Sequence, residues 1–111
     1  MQASDREQQA LRYLGLAARA GRVIAGVALI CTALQKGATG KKPLVVLSAA
    51  DASDKSQKRI CDRTAYYSVP HLALTVNAAT LANAVGKRDG AVAAVAVTEP
   101  QLARAILALY E

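Results

Sequence analysis

Residues 15–37 read GLAARAGRVIAGVALICTALQKG. Two helical patterns flank a short apolar segment there, and Gly21 and Gly26 punctuate the junctions. No Asp or Glu occurs between Glu7 and Asp51, whereas Arg12, Arg19, Arg22, Lys36, Lys41 and Lys42 all do. A helix that begins just after Gly26, among cations and away from carboxylates, offers amide N–H groups to a phosphate-bearing partner. The stretch is therefore read both as the hinge of the fold and as the working surface.

Outward from it, the rest of the chain alternates helix and strand. Ser4 or Asp5 can cap a first helix, with Glu7 completing a capping box if Ser4 is the cap. Leu11, Leu14, Ala17 and Ala18 recur at helical spacing up to a stop at Gly21, and Arg22 to Ala25 is a short β-like segment. The second helix runs from Gly26 through Val27, Ile30, Cys31 and Leu34 to Lys36-Gly37, a cation followed by a glycine. After the turn ATGKK, LVVLSA at 44–49 is uniformly apolar, as a fully buried strand is. Ser53 or Asp54 caps a third helix, which ends near Tyr66-Tyr67. HLALTV at 71–76 is a further strand, and Asn77 caps AATLANAV, which Gly86 closes. The turn GKRDG leads into the strand AVAAVAV at 91–97, and Glu99-Pro100 opens the last helix. The pattern predicts an α/β fold, a three-layer α/β/α sandwich with a small mixed four-stranded sheet, in one domain over residues 1–111.

Composition bounds the function. The chain has 111 residues, 53% of them hydrophobic, so it can form a core; with no Trp or Phe, that core is built from Ala, Val and Leu. A formal charge of +6 permits an anionic partner without naming one. The N-terminal MQASDREQQA is polar, and no apolar run approaches the ~20 residues of a membrane span. The protein is expected to be cytoplasmic, without a membrane partner. Cys31 and Cys61 have neither CxxC spacing nor a nearby His, so both are read as buried thiols.

Three places are candidate sites. At the Gly26 helix start, backbone amides would face a phosphate or base edge while Arg19 and Arg22 hold the backbone; the alternative is a simple tight turn. It matches neither GxxxxGK[ST] nor GxGxxG, which disfavours those kinds of nucleotide binding. Val85-Gly86-Lys87-Arg88-Asp89-Gly90 is a cationic turn that matters only beside that helix start. Ser48 to Asp51 sits at the end of a buried strand, where α/β folds place ligands, although an ordinary capping loop reads the same way. Lys55, Lys58, Arg59 and Arg63 form a helical stripe diluted by Asp54 and Asp62, read as a solvated face. His71, the only histidine, has no evident catalytic partner and is read as structural. No HExxH, GxSxG, paired carboxylates or metal-ligand cluster is present, so neither an enzyme nor a cofactor or metal is expected.

Taken together, LGLAARAGRVIAG, ALQKG, LVVLSAADAS, YYSVPHLAL, TLANAVGK and AVAAVAVTE resemble, in order and spacing, the YlxQ-like bacterial proteins of the kink-turn-binding ribosomal protein superfamily. That superfamily includes an archaeal large-subunit protein and components of box C/D and H/ACA particles. The resemblance covers roughly Leu11 to Ile106. It implies an α/β/α sandwich and noncatalytic RNA binding. The second helix start would enter the bend of a kink-turn at its sheared G·A pairs, and the loop after the fourth helix would cover an extruded nucleotide. Well-known members carry Asn-Glu after the glycine and a Lys one turn later; here those positions hold Ala28, Leu29 and Thr32, which lack that base-edge chemistry.

The resulting expectation is a monomeric protein that binds a kink-turn, another structured RNA or ribosomal RNA. Its RNA-binding residues would be Arg19, Arg22, Gly26, Val27, Ala28, Leu29, Thr32, Lys36, Ser48, Asp51, Val85, Gly86, Lys87 and Arg88. The rival expectation is a protein-interaction module that uses Val27, Ala28 and Leu29 as an apolar patch. A small-molecule enzyme at Ser48–Asp51 is a weaker third.

Overall fold

The computed structural model describes residues 5–36, 42–87 and 90–111. Its elements are α1 (Asp5–Arg19), β1 (Val23–Ala25), α2 (Val27–Lys36), β2 (Val45–Ser48), α3 (Asp54–Tyr66), β3 (His71–Ala73), α4 (Ala78–Ala84), β4 (Ala94–Val97) and α5 (Pro100–Ala108). The strands form one four-stranded sheet in the order β1-β4-β2-β3. β4 runs antiparallel to both β1 and β2, while β2 and β3 are parallel, so the sheet is mixed.

Every residue of β2 and β4 is buried, because helices cover both faces of these two central strands. Val45, Leu47, Val95 and Val97 point into a core shared with Ala10, Leu14, Leu81 and Ile106 of α1, α4 and α5. Val46, Ala94 and Ala96 face Ile30, Leu34 and Ile60 of α2 and α3. The three-layer α/β/α sandwich is thus present, with α1, α4 and α5 on one face and α2 and α3 on the other. Fully burying a side chain such as Leu14, Ile30 or Ile60 contributes about 1.5–3 kcal/mol. The alanines of β4 keep the α2–α3 side thin, in line with a chain that lacks bulky aromatics.

Helix ends follow the local chemistry. The Ser53 and Asn77 side chains accept from Ser56 N–H and Thr80 N–H, and Glu99 caps α5 with Pro100 in its first turn. At the end of α1, Gly21 N–H donates to Ala18 O and Arg22 N–H to Ala17 O. Ser4 lies outside the described residues, as does the 37–41 turn.

Two strands are shorter than their apolar patterns. In AVAAVAV the strand begins only at Ala94: Ala93 O accepts from Ala49 N–H, and Val92 N–H turns to Ala78 O at the start of α4. In HLALTV, β3 ends at Ala73, although Leu74 N–H still donates to Ser48 O and Ala50 N–H to Val76 O; the N–H groups of Thr75 and Val76 turn instead to Glu7. Glu7 Oε1 accepts from Thr75 N–H and Val76 N–H, each at 2.8 Å, and both its carboxylate oxygens accept from the Thr75 hydroxyl. Only 5% of Glu7 is exposed, so this carboxylate is an internal clamp from α1 to the β3–α4 loop. A capping-box reading of Glu7 had no means of seeing a partner 68 residues away.

Beside the clamp, the Tyr110 hydroxyl is buried without a hydrogen-bond partner among the described residues, and the Arg6 guanidinium lies 4.6 Å from its ring centre. Burial, and after it the negative charge of Glu7, pushes the Tyr110 phenol above its ordinary value.

Glu7→Ala leaves two main-chain donors and a hydroxyl without this acceptor, and should lower the unfolding free energy by about 2–4 kcal/mol in urea titration. Glu7→Gln, which keeps one acceptor oxygen, should lose less. Tyr110→Phe removes an unsatisfied buried hydroxyl and should be neutral or stabilising by about 1 kcal/mol in the same assay.

Candidate nucleic-acid interface

Strand β1 is an edge of the sheet, and α2 folds back along it. Gly26 joins the two with φ +108°, a backbone region closed to ordinary L residues. A Cβ built there meets nothing within 4 Å, so backbone conformation alone demands the glycine. The Gly26 N–H is not free: it donates to Ala94 O at 2.9 Å and closes the β1–β4 ladder, a correction to the expectation that it faces a ligand. The first intrahelical bond of α2 runs from Ile30 N–H to Gly26 O. That leaves the N–H groups of Val27, Ala28 and Leu29 without an acceptor among the described residues. No acidic residue lies in this first turn, so their partial positive charge is uncompensated.

Between β1, α2 and the chain after α4 lies a cleft of about 470 Å³. Val23, Ile24 and Ala25 form its floor, Leu29, Thr32, Ala33 and Lys36 one wall, and Val85 and Lys87 the other. Leu29 is 62% exposed, one of three large apolar side chains among the described residues that stand clear of the surface. The Thr32 hydroxyl donates to Ala28 O at 3.0 Å, which leaves its oxygen lone pairs for an incoming donor.

Val85 also belongs to a second, more polar cleft with Gly15, Ala18, Arg19, Asn83, Ala84 and Gly86. The two clefts meet at the end of α4. Gly86, at φ +81°, turns the chain there: Gly86 N–H donates to Asn83 O and Lys87 N–H to Ala82 O. On the α1 side, a Cβ added at Gly15 would lie 3.4 Å from Ala84 O, so α1 and α4 approach closely and carry Arg19 to the rim.

Arg19, Gly26, Val27, Ala28, Leu29, Thr32, Lys36, Val85, Gly86 and Lys87 therefore share one region, and Arg22 borders it at the start of β1. Arg19, Arg22, Lys36 and Lys87 are exposed, and none pairs with an acidic side chain among the described residues. Arg88 lies outside the described residues.

Ser48 and Asp51 are elsewhere. Ser48 is 3% exposed and bonded to His71, and Asp51 Oδ1 accepts from Ala78 N–H at the start of α4. The capping reading of that loop describes Asp51. One further expectation needs correction: Cys31 is buried, but Cys61, on α3, is exposed. His71, read as structural for want of a catalytic partner, contacts both Ser48 and Cys61. Strand pairing and helix packing bring these three together, and no spacing in the chain could have signalled it. No group of three metal-ligating side chains occurs among the described residues, and no helix there is long and apolar enough to cross a membrane.

Comparison with known proteins adds the following. The model of the ribosomal protein L7Ae/L30e/S12e/Gadd45 family matches residues 8–106. The RNA-binding protein YlxQ of Bacillus subtilis (strain 168) is 32% identical over 98 residues, covering 88% of this chain and 91% of that one. The RNA-binding protein YlxQ of Enterococcus faecium is 36% identical over 63 residues, a match that spans 57% of either chain. Among solved structures, a protein with unknown function from Bacillus halodurans superposes with TM-score 0.79 at 27% identity, covering 90% of this chain and 94% of that one. The Giardia lamblia 15.5kD RNA binding protein superposes with TM-score 0.75 at 14% identity, covering 98% and 93%; at that identity the likeness concerns the fold alone.

Gly26→Ala should cost about 1–3 kcal/mol of stability in urea unfolding, since the strain is carried by the backbone and the new methyl meets no atom.

Proposed function

The chain belongs to the ribosomal protein L7Ae/L30e/S12e/Gadd45 family, and from that premise we propose that it is a noncatalytic RNA-binding protein whose RNA docks across the β1 edge. One observation carries the docking site. Three amide N–H groups at the α2 start and four cations, all without a partner among the described residues, lie with an apolar cleft on a single surface.

Each part has a separate task. The amides of Val27, Ala28 and Leu29 hydrogen-bond phosphate or sugar oxygens, a contact that needs no particular side chain. Arg19, Arg22, Lys36 and Lys87 neutralise the backbone on either side and release counterions. The cleft between Leu29, Ile24 and Val85 takes an unstacked base by apolar contact. A continuous duplex buries its bases in the stack, so an RNA that splays a base at a sharp bend fits this surface better. That is the geometry of a kink-turn, as the resemblance to kink-turn binders implies.

Ala28 and Leu29 offer no side-chain hydrogen bond to a base edge, and Thr32 offers one hydroxyl. Recognition then falls on shape and on the extruded nucleotide more than on sequence. The rival reading, a protein-contact patch at the start of α2, is not favoured. Val27 is partly covered and Ala28 small, so Leu29 alone is a prominent apolar group there, and cations rim it.

The test is a binding titration with a kink-turn RNA and a straight duplex of matched length at several salt concentrations. Tighter binding of the kink-turn, with the gap persisting as salt rises, is the expected result. Equal affinity for the two would remove the shape-specific reading. Arg22→Ala with Lys87→Ala should weaken binding to both RNAs and reduce the salt slope by about 2, one for each lost phosphate contact. Leu29→Asp should reduce kink-turn affinity far more than duplex affinity.

A further inference from the structure

On the sheet edge opposite β1, three side chains from three elements form a cluster that the RNA surface does not use. Ser48 Oγ lies 2.8 Å from His71 Nε2, and His71 Nδ1 lies 3.6 Å from Cys61 Sγ. Cys61 is exposed on α3, His71 is half-buried on β3, and Ser48 is buried on β2. The parallel register, with Val46 beside His71 and Ser48 beside Ala73, fixes the first contact; packing of α3 on the sheet fixes the second.

The proton positions follow from the environment. Burial lowers the pKa of His71 below its ordinary value, so the ring is neutral at neutral pH and carries a single N–H. The Ser48 hydroxyl is buried, and His71 Nε2 is its one hydrogen-bond partner among the described residues. A buried hydroxyl with one partner donates to it, since otherwise its proton goes unsatisfied. Nε2 is then the acceptor, and the ring proton sits on Nδ1, directed at Cys61 Sγ. A buried serine thus sets the tautomer of a histidine, which presents an N–H donor to an exposed sulfur. A donor so placed favours the anionic, nucleophilic form of a thiol over the protonated one.

We propose that Cys61 is an activated, modifiable thiol, with His71 donating to its sulfur and Ser48 holding the ring, and that small disulfides are its co-reactant. In the step, the Cys61 thiolate attacks one sulfur of the disulfide. A new S–S bond forms, the old one breaks, and the displaced half leaves as a thiolate that takes up the proton Cys61 gave to water. Cys61 is oxidised and the departing half is reduced, so the exchange needs no other oxidant. His71 and Ser48 are positioning residues here. Cys31, buried on α2, is excluded from the reaction in the folded protein.

The experiment follows mixed-disulfide formation by intact-protein mass, using oxidised glutathione and the neutral hydroxyethyl disulfide. The neutral reagent separates thiol activation from attraction of an anion to Lys58 and Arg59. Folded wild-type protein should take up one equivalent, at Cys61, about threefold faster than Cys61 reacts in urea-unfolded chain at the same neutral pH. His71→Leu, which removes the donor, should bring that rate down to the unfolded value. His71→Asn, whose amide restores an N–H near the Nδ1 position, should recover most of it, a rescue that a merely structural histidine would not give. Ser48→Ala frees the tautomer and should fall between. Equal rates for folded and unfolded wild-type protein, or an undiminished rate in folded His71→Leu, would overturn the proposal. If His71→Leu fails to fold, the wild-type comparison and Ser48→Ala decide.

Discussion

The antiparallel pairing of β1 with β4 is the constraint on which the candidate interface rests. Val23 faces Val97, Ile24 faces Ala96 and Ala25 faces Val95, and the Gly26 N–H bonded to Ala94 O completes the ladder. Without it, a three-residue strand would have nothing to hold it, because an isolated short strand does not sustain itself. The pairing anchors the start of α2 to the start of β4, and β4 follows directly on the turn from α4. Residues around 23–36 and 85–87 are thereby brought to one edge. Gly26 is the single point at which the chain must leave the ladder and enter a helix, and its positive φ makes that exit possible.

Under the proposed docking, such a surface would read RNA unevenly. Main-chain amides and cations would supply affinity without sequence preference, and the apolar cleft would reward a base that has left its stack. The side chains at the α2 start add little polar discrimination. In the proposed complex, the backbone would support docking whatever residues sit at positions 28, 29 and 32, while those residues would set how sharply one RNA is separated from another. Ala28 and Leu29 offer apolar contact and no base-edge hydrogen bond, so in that complex selectivity would rest on bent, splayed RNA more than on particular base pairs.

The interior polar contacts follow a different economy. Glu7 sits in the α1–α4–α5 layer and would be expensive to bury alone, but three donors from the β3–α4 loop meet its carboxylate. The clamp ties α1 to the loop before α4, whose start is held by the Asn77 cap and by Asp51, which accepts from Ala78 N–H. Ser48 and His71 form the corresponding polar pair on the other face. There the contact continues outward to an exposed thiol instead of closing on itself. One face of the sheet uses its buried polar group for architecture, while the other leaves a chemically available atom at the surface.

The order and type of the elements were written in the sequence. The apolar runs 44–47 and 94–97 announced strands covered on both faces, Ser53, Asn77 and Glu99-Pro100 marked helix starts, and Gly21, Gly26 and Gly86 marked the turns. These signals are legible because each arises from residues within one or two turns of each other. The acid-free basic stretch from Arg12 to Lys42 was equally plain, being a matter of composition. What the chain alone did not disclose depends on partners distant in sequence: the Glu7 clamp, the engaged Gly26 N–H, the place of Ser48 and Asp51 away from the cleft, and the Ser48–His71–Cys61 contact. Hydrophobic periodicity reports which face of an element is buried, not which polar atom of another element meets it there. Strand register and layer packing alone make that choice, because a hydrogen bond needs its atoms about 3 Å apart and sequence distance carries no such information.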